Sequence, residues 1–401
     1  MKVVFITPVT PFKENRGGPS GHPYHLMLNR PGDIEITVYS YNSNRLSSDL
    51  IHNVEQELNV NIKLLKESWW RKWFFKLHLN FIRFFLKYPI NFYRSLRKSE
   101  VEEIKSLNPD LIWGYSQEFC AIMKQFKEYK RLHTVPDCYS LHFYRRLGLR
   151  TTMMNFMERW NVLINYIKHY RMESEYDDSN NIIYHLVGEE DKKFLLDIKP
   201  SLSAHFIRHP HYELSPLREI HFHQPKIKLL VAGRYDLYSK QISDELFNLL
   251  VSMPEEVRYK LQQYYTITFL GKGWEHHVNM LKHVSYDVSH IIFARDYIDE
   301  ITKHDIQLNP LSIGTGTKGK VLDALANGLL VLGTPYALEN IAVEHGKSCI
   351  EWSNADEVPG ILLDIAANRE KYEQIAEAGR AAVLKEHNPA KIAKELFSIE
   401  Q

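Results

Sequence analysis

The sequence predicts an α/β protein of two doubly wound domains, and three observations predict it. The chain has 401 residues, enough for two full-sized cores. Two short apolar runs, KVVFIT at 2–7 and KIKLLVA at 226–232, open the two halves and lead into glycine-bearing loops. Doubly wound domains place ligands at such loops, beyond the carboxyl ends of their strands. Between the halves the composition shifts, to SAHFIRHPHYELSPLREIHFHQPK with its five histidines and three prolines. The expected boundaries are a first domain at 1–212, a linker at 213–225 and a second domain at 226–401.

The totals narrow the partners. Hydrophobic residues make up 44% and charged residues 25%, and the net charge is +1. No global field selects nucleic acid, so any charged partner must be met locally. Cys120, Cys138 and Cys349 are far apart and odd in number. That favours a reducing, cytoplasmic setting over a disulfide framework or a cysteine metal site. The opening MKVVFITPVTPF has too short an apolar run for a signal peptide. No window of about 18 apolar residues is free of charge, so no span of a membrane is expected.

In the first half, strands are expected at 2–7, 34–41, 60–65, near 111–115 and at 131–135. Gly17, Gly18 and Gly21 form a loop after the first strand, and His22 begins a helix. The loop lacks the G-x-G-x-x-G spacing of a dinucleotide site. It is either a ligand loop or a mobile surface loop. Asp137 follows the strand RLHTV, where catalytic groups gather in this class of fold. It is a candidate base or acceptor-orienting group, with a capping role as the alternative. His142 and Arg145 are its neighbours.

The segment 69–98 stands apart. No acid occurs between Glu67 and Glu100, while Arg71, Lys72, Lys76, Arg83, Lys87, Arg94, Arg97 and Lys98 are basic. Trp70, Trp73, Phe74, Leu77, Phe81, Phe84 and Phe85 recur at helical spacing, up to an interruption at Pro89. A basic aromatic helix suits the plane of an anionic membrane. The alternatives are aromatics packed into the domain with solvated bases, or a nucleic-acid patch, which the Phe/Leu-rich face suits less well.

In the second half, a strand ends at Gly233, followed by Arg234 and, six residues on, Lys240. Gly271 and Gly273 follow the next strand. His209, His211, His221 and His223 lack carboxylate or cysteine partners at a metal-binding spacing and are expected to be structural.

The most informative stretch is 308–341, LNPLSIGTGTKGKVLDALANGLLVLGTPYALENI. Gly314, Thr315, Gly316 and Thr317 make a small-residue loop. Thr317 is expected to cap a helix that stops at Gly328, before a buried strand. A glycine loop opening a helix is an anion site, because free N–H groups and the positive dipole end meet there. Lys318 and Lys320 add charge. Asp323 lies roughly 9 Å along the axis from the cap, close in angle to Lys320. A diphosphate at the loop and a ribose on Asp323 fit that span, with Glu339 further on.

This stretch resembles the donor site of GT-B glycosyltransferases, especially the large retaining family 4. GTGTKGKVLDALANGLLVLGT is similar to that family's G-S/T-G-T-K-x-K-x-L-E-A pattern. Two departures are Asp323 in place of the usual glutamate and Thr315 at a position often acidic. The resemblance implies two Rossmann-like domains facing a cleft. It implies donor binding by Gly314, Thr315, Gly316, Thr317, Lys320, Asp323, Glu339 and Gly271, and a diphosphate gripped by Arg234 and Lys240. It implies acceptor-side roles for Asp137 and for the Gly17, Gly18 and His22 loop, and a terminal helix that crosses back to the first domain. No cofactor or bound metal is expected.

The function expected is cytoplasmic transfer of a sugar from a nucleotide diphosphate to a lipid-linked or polysaccharide acceptor, by a protein peripheral to the inner face of a membrane through 69–98. Retention is favoured by the resemblance; Asp137 would be the base in an inverting enzyme. Two alternatives are a nucleotide-sugar epimerase of the same fold and a non-catalytic nucleotide-sugar-binding scaffold protein.

Overall fold

The computed structural model describes residues 1–14, 19–217 and 219–399. Gly17 and Gly18 lie outside the described residues. The chain divides into two compact units. The first is Met1–Gly148, Asn155–Pro210 and Pro389–Gln401; the second is Leu149–Met154 and His211–Asn388.

Among the described residues, the first unit holds a sheet of seven strands: β1 (Lys2–Thr7), β2 (Glu35–Ser40), β3 (Asn61–Leu64), β4 (Leu111–Tyr115), β5 (Arg131–Thr134), β6 (Ile182–Leu186) and β7 (Ala204–Phe206). They run in the order β3-β2-β1-β4-β5-β6-β7, all paired in parallel. The strands are apolar because both faces are covered, as parallel sheets require. Phe5, Trp113 and Leu132 are fully enclosed on one face, and Ile6, Ile112 and Tyr184 on the other. The Pro389–Ser398 helix belongs to this unit. It buries Ile392, Leu396 and Phe397, with Phe397 edge-on to Trp113 at 5.4 Å between ring centres.

The second unit repeats the plan with six strands among the described residues: β8 (Ile227–Ala232), β9 (Tyr265–Leu270), β10 (Val288–Ile291), β11 (Ile306–Asn309), β12 (Leu330–Gly333) and β13 (Ile350–Glu351). Their order is β10-β9-β8-β11-β12-β13. The strand order reverses between β8 and β11, and in the first unit between β1 and β4. Ligands bind outside the carboxyl ends at such reversals.

The expected helix at 69–98 is not continuous. A helix covers Trp69–Lys76, and 3₁₀ turns cover Leu79–Phe85 and Ile90–Tyr93. His78 takes a left-handed conformation, φ 52°, which ends the first piece. Two of the expected surface bases turn inward instead: Arg71 and Arg94 are buried and share Glu67. Arg71 also donates to the Ile90 carbonyl and the Asn91 side chain. These bonds fold the segment back on itself, which a straight helix would prevent. Phe74 is buried, whereas Trp69, Phe81 and Phe85 stand out at 74%, 66% and 82% exposure.

Candidate functional site

The second unit's site begins with a backbone constraint. Gly233 directly follows β8 and Gly271 directly follows β9, and both have φ +139°. A Cβ on Gly271 would lie 2.1 Å from the Gly233 carbonyl oxygen, so only glycine lets the loops touch. Trp274 donates its indole N–H to that same carbonyl at 2.8 Å. Tyr235 N–H donates to Lys272 O at 2.9 Å. The loop after β8 is thus laced to the loop after β9.

Its other side is tied to the loop after β11. Ser312 N–H donates to Tyr238 O at 2.6 Å, and the Ser312 hydroxyl accepts from Ile242 N at 3.0 Å. Asp236 turns the chain between them, its carboxylate accepting from Tyr238 N–H at 3.0 Å as Asx turns do. These loops enclose a pocket of about 250 Å³ at the β8/β11 reversal, lined by Gly233, Arg234, Asp236, Tyr238, Trp274, Asn309, Lys318, Gly319 and Lys320 among others.

The glycine loop differs from expectation in one respect. The helix runs Gly319–Ala326 and its N-cap position is Lys318, not Thr317, with no side-chain cap. Lys318 turns its ammonium back onto the Thr315 and Gly316 carbonyls at 2.9 and 3.0 Å, with Glu339 at 3.9 Å. Asn340 also donates to the Gly316 carbonyl, at 3.0 Å. Lys318 therefore braces the loop, and Glu339 reaches it through Lys318. The helix stop at Gly328 is as expected. Gly328 has φ +83°. Its N–H bonds Leu325 O, and Leu329 N–H bonds Ala324 O, both at 3.0 Å, the paired bonds of a Schellman stop.

Lys320 points the other way. Its ammonium lies 5.3 Å from the centre of the Tyr297 ring, a cation–π distance. Part of the side chain stays solvent-accessible, but the surrounding walls desolvate its charge and lower its pKa. Asp323 opposes that shift and Arg234 adds to it, so Lys320 senses both. Asp323 is densely enclosed; burial, and after it the Glu213 charge, push its carboxyl up to about 7, against the pull of Lys320. The Tyr297 hydroxyl is buried with no hydrogen-bond partner.

The structure therefore brings Arg234 and Lys320 to one pocket, with Asp323 coupled to Lys320 and Gly271 supporting from behind. The pocket lining stops at Ser239, one residue before Lys240, which instead opens the helix Lys240–Ser252. Gly314, Thr315, Gly316 and Thr317 form the braced loop beside the pocket rather than its lining. Sequence reasoning missed Asp236, Tyr238, Trp274 and Tyr297. Trp274 carried a signal, an aromatic directly after the Gly271–Gly273 loop; Tyr238 carried none.

In the first unit, Asp137 lies three residues past β5 and is half-buried. It is not the cap of the next helix, Tyr139–Leu147, whose N-cap position is Cys138. Two buried carboxylates fix this loop. Asp191 accepts from Cys138 N–H at 2.8 Å, and Glu173 accepts from the Ser140 hydroxyl and from Ser140 N–H. Burial pushes the Glu173 carboxyl up to about 7. His22 is buried in the helix Gly21–Leu28. Its Nδ1 lies 3.0 Å from the Tyr115 hydroxyl, and its ring stacks on His209 at 4.7 Å. Burial, with His209, His185 and His25 nearby, holds its pKa well below the usual value. His22 thus sits behind the β1/β4 edge, braced by Tyr115.

Residues 252–398 match the family described as glycosyl transferase-like. No curated protein sequence matches the chain. Solved structures do. The Anabaena protein HepE in complex with UDP is 10% identical, with TM-score 0.62 over 100% of this chain and 99% of that one. Sucrose-phosphate synthase from Thermosynechococcus elongatus is 11% identical, TM-score 0.63, over 100% and 98%. The lipopolysaccharide outer core galactosyltransferase WaaB is 11% identical, TM-score 0.61, over 100% of both chains. The likenesses define a class of fold, the GT-B fold of two doubly wound α/β domains, and the segment 252–398 is similar to the glycosyl transferase-like family. Among the structures that share this fold are two described as lipopolysaccharide enzymes, WaaB and WaaG, and HepE solved with UDP-glucose.

Proposed function

We propose that the protein transfers a sugar from a nucleoside-diphosphate sugar to a lipid-linked or polysaccharide acceptor at a membrane surface. The observation that carries this reading is the Arg234–Lys320 pair facing one pocket at the β8/β11 reversal. Two cations there match the charge of a diphosphate, and arginine can grip it bidentately. Asp323, three residues past Lys320 on the same helix, is the acceptor for ribose hydroxyls. When the glycosidic bond to the donor breaks, negative charge grows on the diphosphate. Preorganised cations meet that charge without reorganising, which is the largest share of catalysis in such steps. In a retaining reaction the leaving diphosphate takes the acceptor proton; in an inverting one Asp137 takes it.

The resemblance favours retention. UDP and UDP-glucose are the first ligands to try, since HepE was solved with both. Membrane contact through 69–98 is supported by the exposed aromatics of its 69–93 part, beside Lys72, Lys76, Arg83 and Lys87. No helix among the described residues is long and apolar enough to cross a membrane.

Calorimetry with UDP and UDP-glucose tests the donor site. Arg234→Ala and Lys320→Ala should each lower affinity by roughly 10- to 100-fold, since a hydrogen bond to a charged group is worth about 1.5–3 kcal/mol. Unchanged affinity in both variants would remove the diphosphate assignment. Binding without turnover of the donor would favour the scaffold reading, and no binding of any nucleotide would remove the donor site itself.

A further inference from the structure

The helix Phe156–Ser174 is apolar on two opposite sides. Val162, Met172 and the stem of Lys168 are buried inward. Outward, Phe156, Met157 and Trp160 are 77%, 66% and 45% exposed, and Ile167 and Tyr170 follow at 38% and 42%. Phe156, Trp160, Ile167 and Tyr170 follow the three-to-four-residue spacing of one helix face. With the inward side already buried in the unit, the outward apolar stripe is a face that something covers.

The helix is joined to the 69–93 segment. Lys168 donates its ammonium to the Arg83 carbonyl. Glu175, just past the helix, accepts from the Tyr88 hydroxyl at 3.0 Å and lies 3.8 Å from Lys87. Both segments are acid-free over long runs, 68–99 and 159–172, and both carry bases. Around the exposed rings, Lys72, Lys76, Arg83, Lys87 and Arg171 are solvent-accessible.

We propose that this helix is the second half of a two-segment face that docks on an anionic lipid surface, the 69–93 segment being the first half. The inference rests on the membrane contact proposed above and extends it to a second element of the same unit. Charge chooses the occupant. Protein interfaces are depleted in lysine. Two copies of this chain meeting on this face would set like charges against each other. An anionic bilayer meets the bases with lipid phosphates and takes Trp, Tyr and Phe at its interface, where such rings concentrate.

The test uses the full chain and vesicles of phosphatidylglycerol with phosphatidylethanolamine, against phosphatidylcholine alone. The wild type should sediment with the anionic vesicles, more weakly as salt rises, and little with phosphatidylcholine. Phe156→Ser with Trp160→Ser should weaken binding at least about tenfold, with UDP-glucose affinity unchanged. A second measurement reads position. With Trp69, Trp70 and Trp73 each changed to Phe, the remaining tryptophans are Trp160 and the buried Trp113, Trp274 and Trp352. Brominated lipid should then quench Trp160. Wild-type binding that survives the Phe156/Trp160 variant, with no quenching of Trp160, would overturn the inference and leave the 69–93 contact standing. No binding of the wild type to anionic vesicles would overturn both, while the donor site is judged separately by calorimetry. A dimer that the Phe156/Trp160 variant dissociates, with vesicle binding intact, would assign the face to a second copy instead.

Discussion

At the β8/β11 reversal the second unit presents open space bounded by backbone and cations: Gly233, Arg234, Gly319 and Lys320. At the β1/β4 reversal the first unit presents its own neutral side chains, with His22 bonded to Tyr115 and stacked on His209. Its neighbouring loop at Asp137 hangs from two buried carboxylates, Glu173 and Asp191. The same sheet plan thus ends once in glycine geometry and once in side-chain bracing. A glycine-built edge depends on the absence of atoms and fails when any are added. A braced edge depends on protonation states and responds to pH.

The largest effect should follow from adding one carbon to the glycine-built edge. Gly271→Ala places a Cβ against the Gly233 backbone, so the Arg234 loop must move. UDP-glucose affinity should fall by more than about 100-fold, with roughly 3 kcal/mol lost in stability, read by calorimetry and thermal melts. A variant that binds and melts as the wild type would break the contrast.

The braced edge should show itself in pH dependence. Burial raises the Glu173 pKa from its ordinary 4.5 to about 7. The folded state therefore holds that proton more tightly than the unfolded chain does. Folding stability is lost as pH rises from about 4.5 to about 7 and stays lost above, in total on the order of 3 kcal/mol. Glu173→Gln should flatten that part of the curve, gaining on the wild type as pH rises. Parallel curves for the two proteins would show that Glu173 is ionised throughout.

The smallest effect blurs the contrast, because Asp323 brings one raised carboxyl into the second unit. With its pKa pushed up to about 7, the ribose-accepting form grows between pH 6 and 8. Affinity for UDP-glucose, whose diphosphate has no proton to exchange in that range, should rise by a few-fold. Asp323→Asn should bind more weakly and lose the pH dependence. Equal slopes in both would place the titration elsewhere.

What the sequence made legible follows the same divide. Strands such as KVVFIT and LLVLG are continuous apolar runs, and a fully covered parallel strand has no other way to look. The glycine loop and the stop at Gly328 were legible because backbone geometry is local in sequence. The partner of Arg234 was not: the sequence offered Lys240, six residues on, and the fold brings in Lys320 from a distant loop. Nor were the distinct fates of Lys318 and Lys320. Two lysines two residues apart look alike in a string, and only the fold turns one onto the Thr315 carbonyl and the other toward Tyr297. The break of 69–98 was hidden for a related reason. Glu67 lies before the segment and Arg94 near its end, and their pairing is visible only once the chain has folded back. Trp160 and its neighbours were missed because an exposed apolar stripe and a buried one have the same period.

The Pro389–Ser398 helix carries a consequence for how the molecule is made. It fills the core of the first unit, with Phe397 against Trp113, yet the whole second unit separates it in the chain from β1. A ribosome releases residues 1–210 long before it reaches Phe397. The first unit to emerge is therefore the last to be completed, and until then the place of Phe397 beside Trp113 is vacant. A shortened gene ending at Asn388 would keep every residue of the pocket and still yield a chain whose weakness lies in its other half.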